Sequence, residues 1–145
     1  MTRYEDELSG LLMKLSPPQR RKLAREIATA LRRETVKRIA AQENPDGSPM
    51  DPRKPQLRSQ KGRIRRSMFA KLRTAKYLKT DATPNKAVVG FVARVERIAR
   101  VHQEGLRDRV RPDGPTYQYP RRQLLGFADE SVAMVSDRLL NFITK

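Results

Sequence analysis

Cysteine and tryptophan are absent from this 145-residue chain, histidine occurs once and glycine only seven times. Without thiols there is no disulfide and no thiolate metal site, which fits a reducing compartment. No glycine-rich phosphate loop, zinc-ligand spacing or serine-centred nucleophile elbow is present. Hydrophobic runs are short. None approaches the ~20 residues that cross a bilayer, and the acidic stretch 1–8 lacks the positive-then-apolar plan of a signal peptide. The sequence reads as soluble and unexported, with no membrane partner.

Acidic residues are scarce as well: 16 stand against 32 Lys and Arg, a net charge of +16. So much charge of one sign repels itself in a compact fold; a polyanion is the usual neutralising neighbour, and the alternatives are an acidic protein surface or a basic face that merely aids solubility. Aromatics make up 6% of residues, too few for base stacking, so any nucleic acid is met through its phosphates and without regard to sequence. Between Arg53 and Lys79 there are eleven Lys or Arg and no acid. Within that run Arg58, Lys61, Arg63, Arg65 and Arg66 are candidate contacts to DNA or an acidic partner. Hydrophobic residues are 37% and charged residues 33% of the chain. That supports one domain, 1–145, with a lean core and with part of its apolar surface buried between chains.

Local patterns predict an α+β domain: a long N-terminal helix and a C-terminal helix packed on a small, mainly antiparallel sheet. Ser16 before Pro17 and Pro18 is a helix start, since serine caps free amides and proline is tolerated in the first turn. Leu23, Ile27, Ala30 and Leu31 then keep helical spacing to about Ala41, roughly 35 Å at ~1.5 Å per residue. A shorter amphipathic turn over 4–13 precedes it. Residues 44–55, with four prolines, form a proline-rich loop or arm. Ile64, Met68, Phe69 and Leu72 predict a basic helix with one apolar stripe. A strand over 77–80 and turn residues 81–85 lead to a strand over 88–93, paired as a hairpin of open register. A helix over 94–104 follows, its covered face made of Val95, Ile98, Ala99 and His102, and Gly105 stops it. Residues 106–115 read as a loop, 116–119 as a strand. A last helix, capped by Asp129, has Val132, Val135, Leu139 and Phe142 as its apolar edge.

Catalysis finds little support. His102 is the only histidine and sits on a predicted apolar face, and Glu104, two residues on, points elsewhere. No catalytic residue, metal ligand or cofactor is assigned, and the expectation is a protein that is not an enzyme. The rival reading is a hydrolase centred on His102.

The run Arg-Ile-Ala-Arg-Val-His-Gln-Glu-Gly-Leu-Arg-Asp-Arg-Val at 97–110, followed by Tyr119-Pro120-Arg121 and Leu124-Leu125-Gly126-Phe127, resembles the phage virion morphogenesis family. Its members include the S-type tail completion proteins of contractile-tailed phages. Asn44-Pro45-Asp46-Gly47 and Met68-Phe69-Ala70-Lys71-Leu72-Arg73 extend the resemblance, which covers most of the chain. It implies a structural part of the virion tail, placed at the head-proximal end after assembly in the host cytoplasm, and needed before the tail joins a DNA-filled head. It further implies a homo-oligomer, a hexameric ring, with tail tube, sheath or neck proteins as partners and with non-specific contact to DNA in the channel. On the same comparison His102, Gly105, Arg107, Arg109, Pro120, Arg121 and Leu124 are subunit-interface or joint residues, or else a turn lock within one subunit. The family pattern has an aromatic where Glu104 stands, which weakens the expected packing at Gly105. Arg122 and Gln123 also depart from it, adding charge to an expected contact loop. The alternative function is a sequence-independent DNA-binding or architectural protein.

Overall fold

A computed structural model describes residues 14–53, 67–110 and 112–144. The first described helix, α1, runs Pro17–Ala40. Its start is a full capping box, in which the Ser16 hydroxyl accepts from the Gln19 amide and the Gln19 side chain accepts from the Ser16 amide. This satisfies two of the free groups that every helix end leaves. Leu23, Ala24, Ile27, Ala28, Ala30 and Ile39 are buried along one side, while Arg21, Lys22, Arg25, Arg33 and Lys37 are exposed.

That buried side lies on a hairpin of β1 (Leu78–Thr83) and β2 (Lys86–Phe91), paired antiparallel with Leu78 opposite Phe91 and Thr83 opposite Lys86. The turn is thus only Pro84-Asn85, not the five residues expected, and the register is closed. Proline fixes a negative φ, which forbids the usual two-residue hairpin turn. The Thr83 hydroxyl compensates by accepting from the amides of Asn85 and Lys86. Arg32 on α1 donates to the Leu78 carbonyl at 2.8 Å, joining helix and strand start.

Helix α2 (Ala93–Glu104) packs on β2, and a second hairpin follows, β3 (Arg107–Arg109) with β4 (Thr116–Gln118). Residues 107–109 were expected to be loop. They are a strand because Tyr119 returns its amide to the Leu106 carbonyl at 3.0 Å, aligning the two sides. The sheet element is therefore two separate two-stranded hairpins, within the α+β class the sequence predicts.

The last helix, α3 (Asp129–Thr144), meets α1 as its principal contact, where the expectation put it on the sheet. The hairpin face that would receive it is already covered by α1. Asp129 is inside the first turn, at the positive end of the helix dipole, and not its cap.

The basic helix predicted from Ile64, Met68, Phe69 and Leu72 does not form over 67–77, which is a chain of turns; Ile64 lies outside the described residues. Phe69 has φ of +66°, which a helix interior cannot hold. Its stripe is core nonetheless: Met68 is buried with Ile39, Met50, Ala99 and Leu124, and Phe69, Leu72 and Phe91 pack against them. The expected amphipathic turn over 4–13 lies outside the described residues. Among the described residues no helix is long and apolar enough to cross a membrane.

Leu78 is wholly buried under α1. Leu78→Ala is expected to cost roughly 2–5 kcal/mol and Ser16→Ala about 1 kcal/mol. Urea denaturation of the three proteins checks both, and equal losses would contradict this division between core and cap.

Candidate functional site

Helix α2 ends on Gly105, whose φ of +65° and ψ of +62° are left-handed. A second constraint acts at the same residue. A Cβ built there would lie 3.0 Å from the Arg121 amide nitrogen and 3.2 Å from its Cα. The glycine therefore both turns the chain and lets segment 120–125 pass against it.

That segment has no strand partner, so its polar backbone groups are satisfied by side chains from elsewhere. Arg38 on α1 donates to the carbonyls of Gln123 (2.8 Å) and Leu124. The Asn44 side-chain oxygen accepts from the Gln123 amide at 2.8 Å. Gln103 on α2 brackets Leu125, donating to its carbonyl and accepting from its amide, both at 2.8 Å. Leu124, held between them, is wholly buried. Further on, Gly126 lies so close to Pro45 that a Cβ would sit 2.7 Å from its Cγ.

Arg122 is only 4% exposed. Its amide donates to the His102 carbonyl (2.8 Å), its Nε to the Asp51 carbonyl (2.8 Å) and its Nη2 to the Pro52 carbonyl (2.8 Å). The remaining Nη1 lies 3.2 Å from His102 Nδ1. Since a guanidinium only donates, this nitrogen of His102 is the acceptor and the ring proton is on Nε2. Burial, and then the neighbouring Arg122 charge, push the His102 pKa down to about 4. The ring is neutral at pH 7 and meets Phe69 and Tyr119 edge-on, at centroid distances of 4.8 and 5.0 Å. Tyr117 extends the stack from Tyr119 at 4.9 Å.

The structure thus brings together His102, Gly105, Pro120, Arg121 and Leu124 within one subunit, with Leu124 in the core. Arg107 and Arg109 stand apart on exposed β3. The guanidinium of Arg107 is 3.4 Å from the Thr116 hydroxyl and that of Arg109 is 3.5 Å from the Gly114 carbonyl. Asp108 between them is paired with Arg97 of α2 at 2.7 Å. Arg58, Lys61, Arg63, Arg65 and Arg66 lie outside the described residues. Two departures from the family pattern come out differently from expectation. Arg122 adds no surface charge, because its guanidinium has turned inward to carbonyls that the proline-rich loop leaves without ladder partners. Glu104 is exposed and pairs with Arg100 at 3.3 Å, leaving the turn at Gly105 intact.

Reasoning from sequence missed Arg38, Asn44, Gln103 and Arg122. For the arginines no local signal marks them among so many others. For Gln103 and Asn44 the only hint is a polar residue beside a predicted helix end or turn. Expectation also erred on α2: Val101 is buried and Ile98 is 52% exposed. Ile98 lies three and four residues before Val101 and His102, on the same side of the helix. Its exposure therefore marks a gap in the cover. That gap is an open groove of about 460 Å³ bounded by Met68, Phe69, Leu72, Ile98 and His102, with Arg53 and Lys71 also at its lining.

His102 has one nitrogen committed to Arg122, and among the described residues no group of three or more His, Cys, Asp or Glu is placed to hold a metal.

The phage virion morphogenesis family profile matches residues 1–144. Tail completion protein S of Escherichia phage P2 is 44% identical over 140 residues, covering 95% of this chain and 93% of that one. No solved structure matches.

Arg122→Met leaves the Asp51 and Pro52 carbonyls without their charged donor and is expected to cost roughly 2–4 kcal/mol, read as a shift in urea midpoint. Gly105→Ala is expected to cost roughly 1–3 kcal/mol, from left-handed strain and the Arg121 contact together. A pH dependence is also expected. The unfolded chain takes up a proton on His102 near pH 6.5, which the folded chain refuses until about pH 4. Acidification through that window therefore favours unfolding, and above it the contribution is constant. The urea midpoint of wild type should fall more steeply from pH 6.5 to 4 than that of His102→Gln, and parallel curves would contradict the buried neutral ring.

Proposed function

The chain belongs to the phage virion morphogenesis family, and from that membership we propose that it is a tail completion protein, a structural and non-enzymatic part of the virion tail. The observation that carries the reading is its similarity, across nearly the whole of both chains, to the tail completion protein of phage P2. In the finer form of the proposal, copies close into a ring, of six subunits, at the head-proximal end. There they touch tail tube, sheath or neck proteins, and finished tails join DNA-filled heads only through them.

Two physical features support the ring. Val88, Ile98, Leu106, Val110, Phe127, Val132 and Leu140 are all more than a third exposed, so apolar surface is left for neighbouring copies. The net charge of +16 suits a channel crossed by DNA or a seat on acidic partner rings. His102, Gly105, Pro120, Arg121 and Leu124 then act as the joint that holds α2 and the second hairpin in one orientation. Arg107 and Arg109 present charge from that hairpin.

The same charge favours a second reading, a sequence-independent DNA-binding protein acting alone. The two separate in one genetic and one solution measurement. A phage with a nonsense codon in this gene should yield full heads and unjoined tails, restored to infectivity by adding the purified protein to the lysate. Normal virions from that mutant would end the proposal. A stable monomer whose DNA affinity falls steeply with salt, together with normal joining, is the result that the second reading requires.

A further inference from the structure

We propose that neighbouring copies meet head to tail, with the apolar stripe of α3 from one copy seated in the groove between α2 and residues 67–72 of the next. This rests on the ring reading above and assigns its subunit contact.

The first observation is that α3 lacks cover. Val132, Val135, Leu139, Leu140 and Ile143 fall at i, i+3, i+7, i+8 and i+11, one continuous helical stripe. None of them is buried, Val132 is 55% and Leu140 39% exposed, and the only buried residue of the helix is Ser131. Val135, Leu139 and Ile143 are half-buried, so contact with α1 covers the stripe only in part.

A matching hollow exists on a different part of the surface. The groove at Ile98 is apolar at its base and open, and it interrupts the covered side of α2. An amphipathic helix laid into an apolar groove is a common mode of recognition, with anchors at this spacing.

Charge selects the occupant. Helix α3 carries Asp129, Glu130 and Asp137 against Arg138, and among the helices and strands of the described residues it is the one with net negative charge. The groove it would enter has Arg53 and Lys71 at its lining. In a chain so rich in cations, the acidic and apolar helix of another copy fits this site better than any basic segment does. The segment 54–66 of the same chain, with Arg58, Lys61, Arg63, Arg65 and Arg66, would bring like charge to it. Helix stripe and groove share no residue, so one copy can offer its stripe to the next while its own groove receives a third; repeated by a rotation that closes, this head-to-tail contact generates a ring.

The test uses full-length protein, measured by sedimentation in solution and by copy number on isolated tails. One variant, Val132→Asp with Leu140→Asp, destroys the helix stripe. The other, Ile98→Asp, destroys the groove. All three positions are exposed, and circular dichroism with thermal melting verifies that each variant folds. Wild type should form multimers and each variant alone should be monomeric. An equimolar mixture of the two should stop at dimers, because one intact stripe and one intact groove remain. If Ile98→Asp assembles as wild type does, the groove is empty, filled by its own chain or irrelevant, and the inference is overturned with the ring reading untouched. Two variants that stay monomeric when mixed overturn it too. A wild type that is monomeric both free and on tails removes the ring and this contact together.

Discussion

A buried guanidinium holds this fold in register. Arg122 enters the interior because Leu124, two residues on, is wholly buried, and once inside it must find acceptors or unfold the site. It finds them in the carbonyls of Asp51 and Pro52 and in His102. These belong to the proline-rich loop, past its single antiparallel bridge between Glu43 and Pro49, and to the last turn of α2. One side chain thus ties three segments far apart in sequence. The same logic recurs with Arg38, Gln103 and Asn44, each turned inward to serve backbone that has no strand partner.

This arrangement explains how a chain so poor in regular sheet keeps a single geometry. Two short hairpins alone are marginal in water, and the apolar cluster of Ile39, Met50, Met68, Ala99 and Leu124 is small. Each member of that cluster comes from a different segment. Directional hydrogen bonds therefore set the relative placement that a larger core would set by packing. His102 belongs to this framework: neutral, edge-on to two aromatic rings and committed through Nδ1, it serves as a spacer whose chemistry is suppressed by its surroundings.

A family devoted to virion assembly gives such a framework a use. Parts that join large structures need a rigid frame and adhesive edges more than a reactive centre. Here the rigid frame is the lock around Gly105. The adhesive edges we propose are α3 and the gap beside Ile98, where apolar groups stay exposed among the described residues.

Local chemistry alone determined the helix start at Ser16, the length of α1 and the left-handed stop at Gly105. Each follows from the steric and hydrogen-bonding limits of a few adjacent residues. Composition likewise determined the strong basicity and the shortage of core, and the family was legible because its pattern runs along the chain. Tertiary structure decided which arginines are buried, since every arginine looks alike until distant carbonyls select Arg38 and Arg122. It turned Phe69 out of a helix, made a strand of 107–109 through its return partner, placed α3 on α1 and left Ile98 uncovered. All of these depend on which surfaces meet, and no spacing within one segment contains that information.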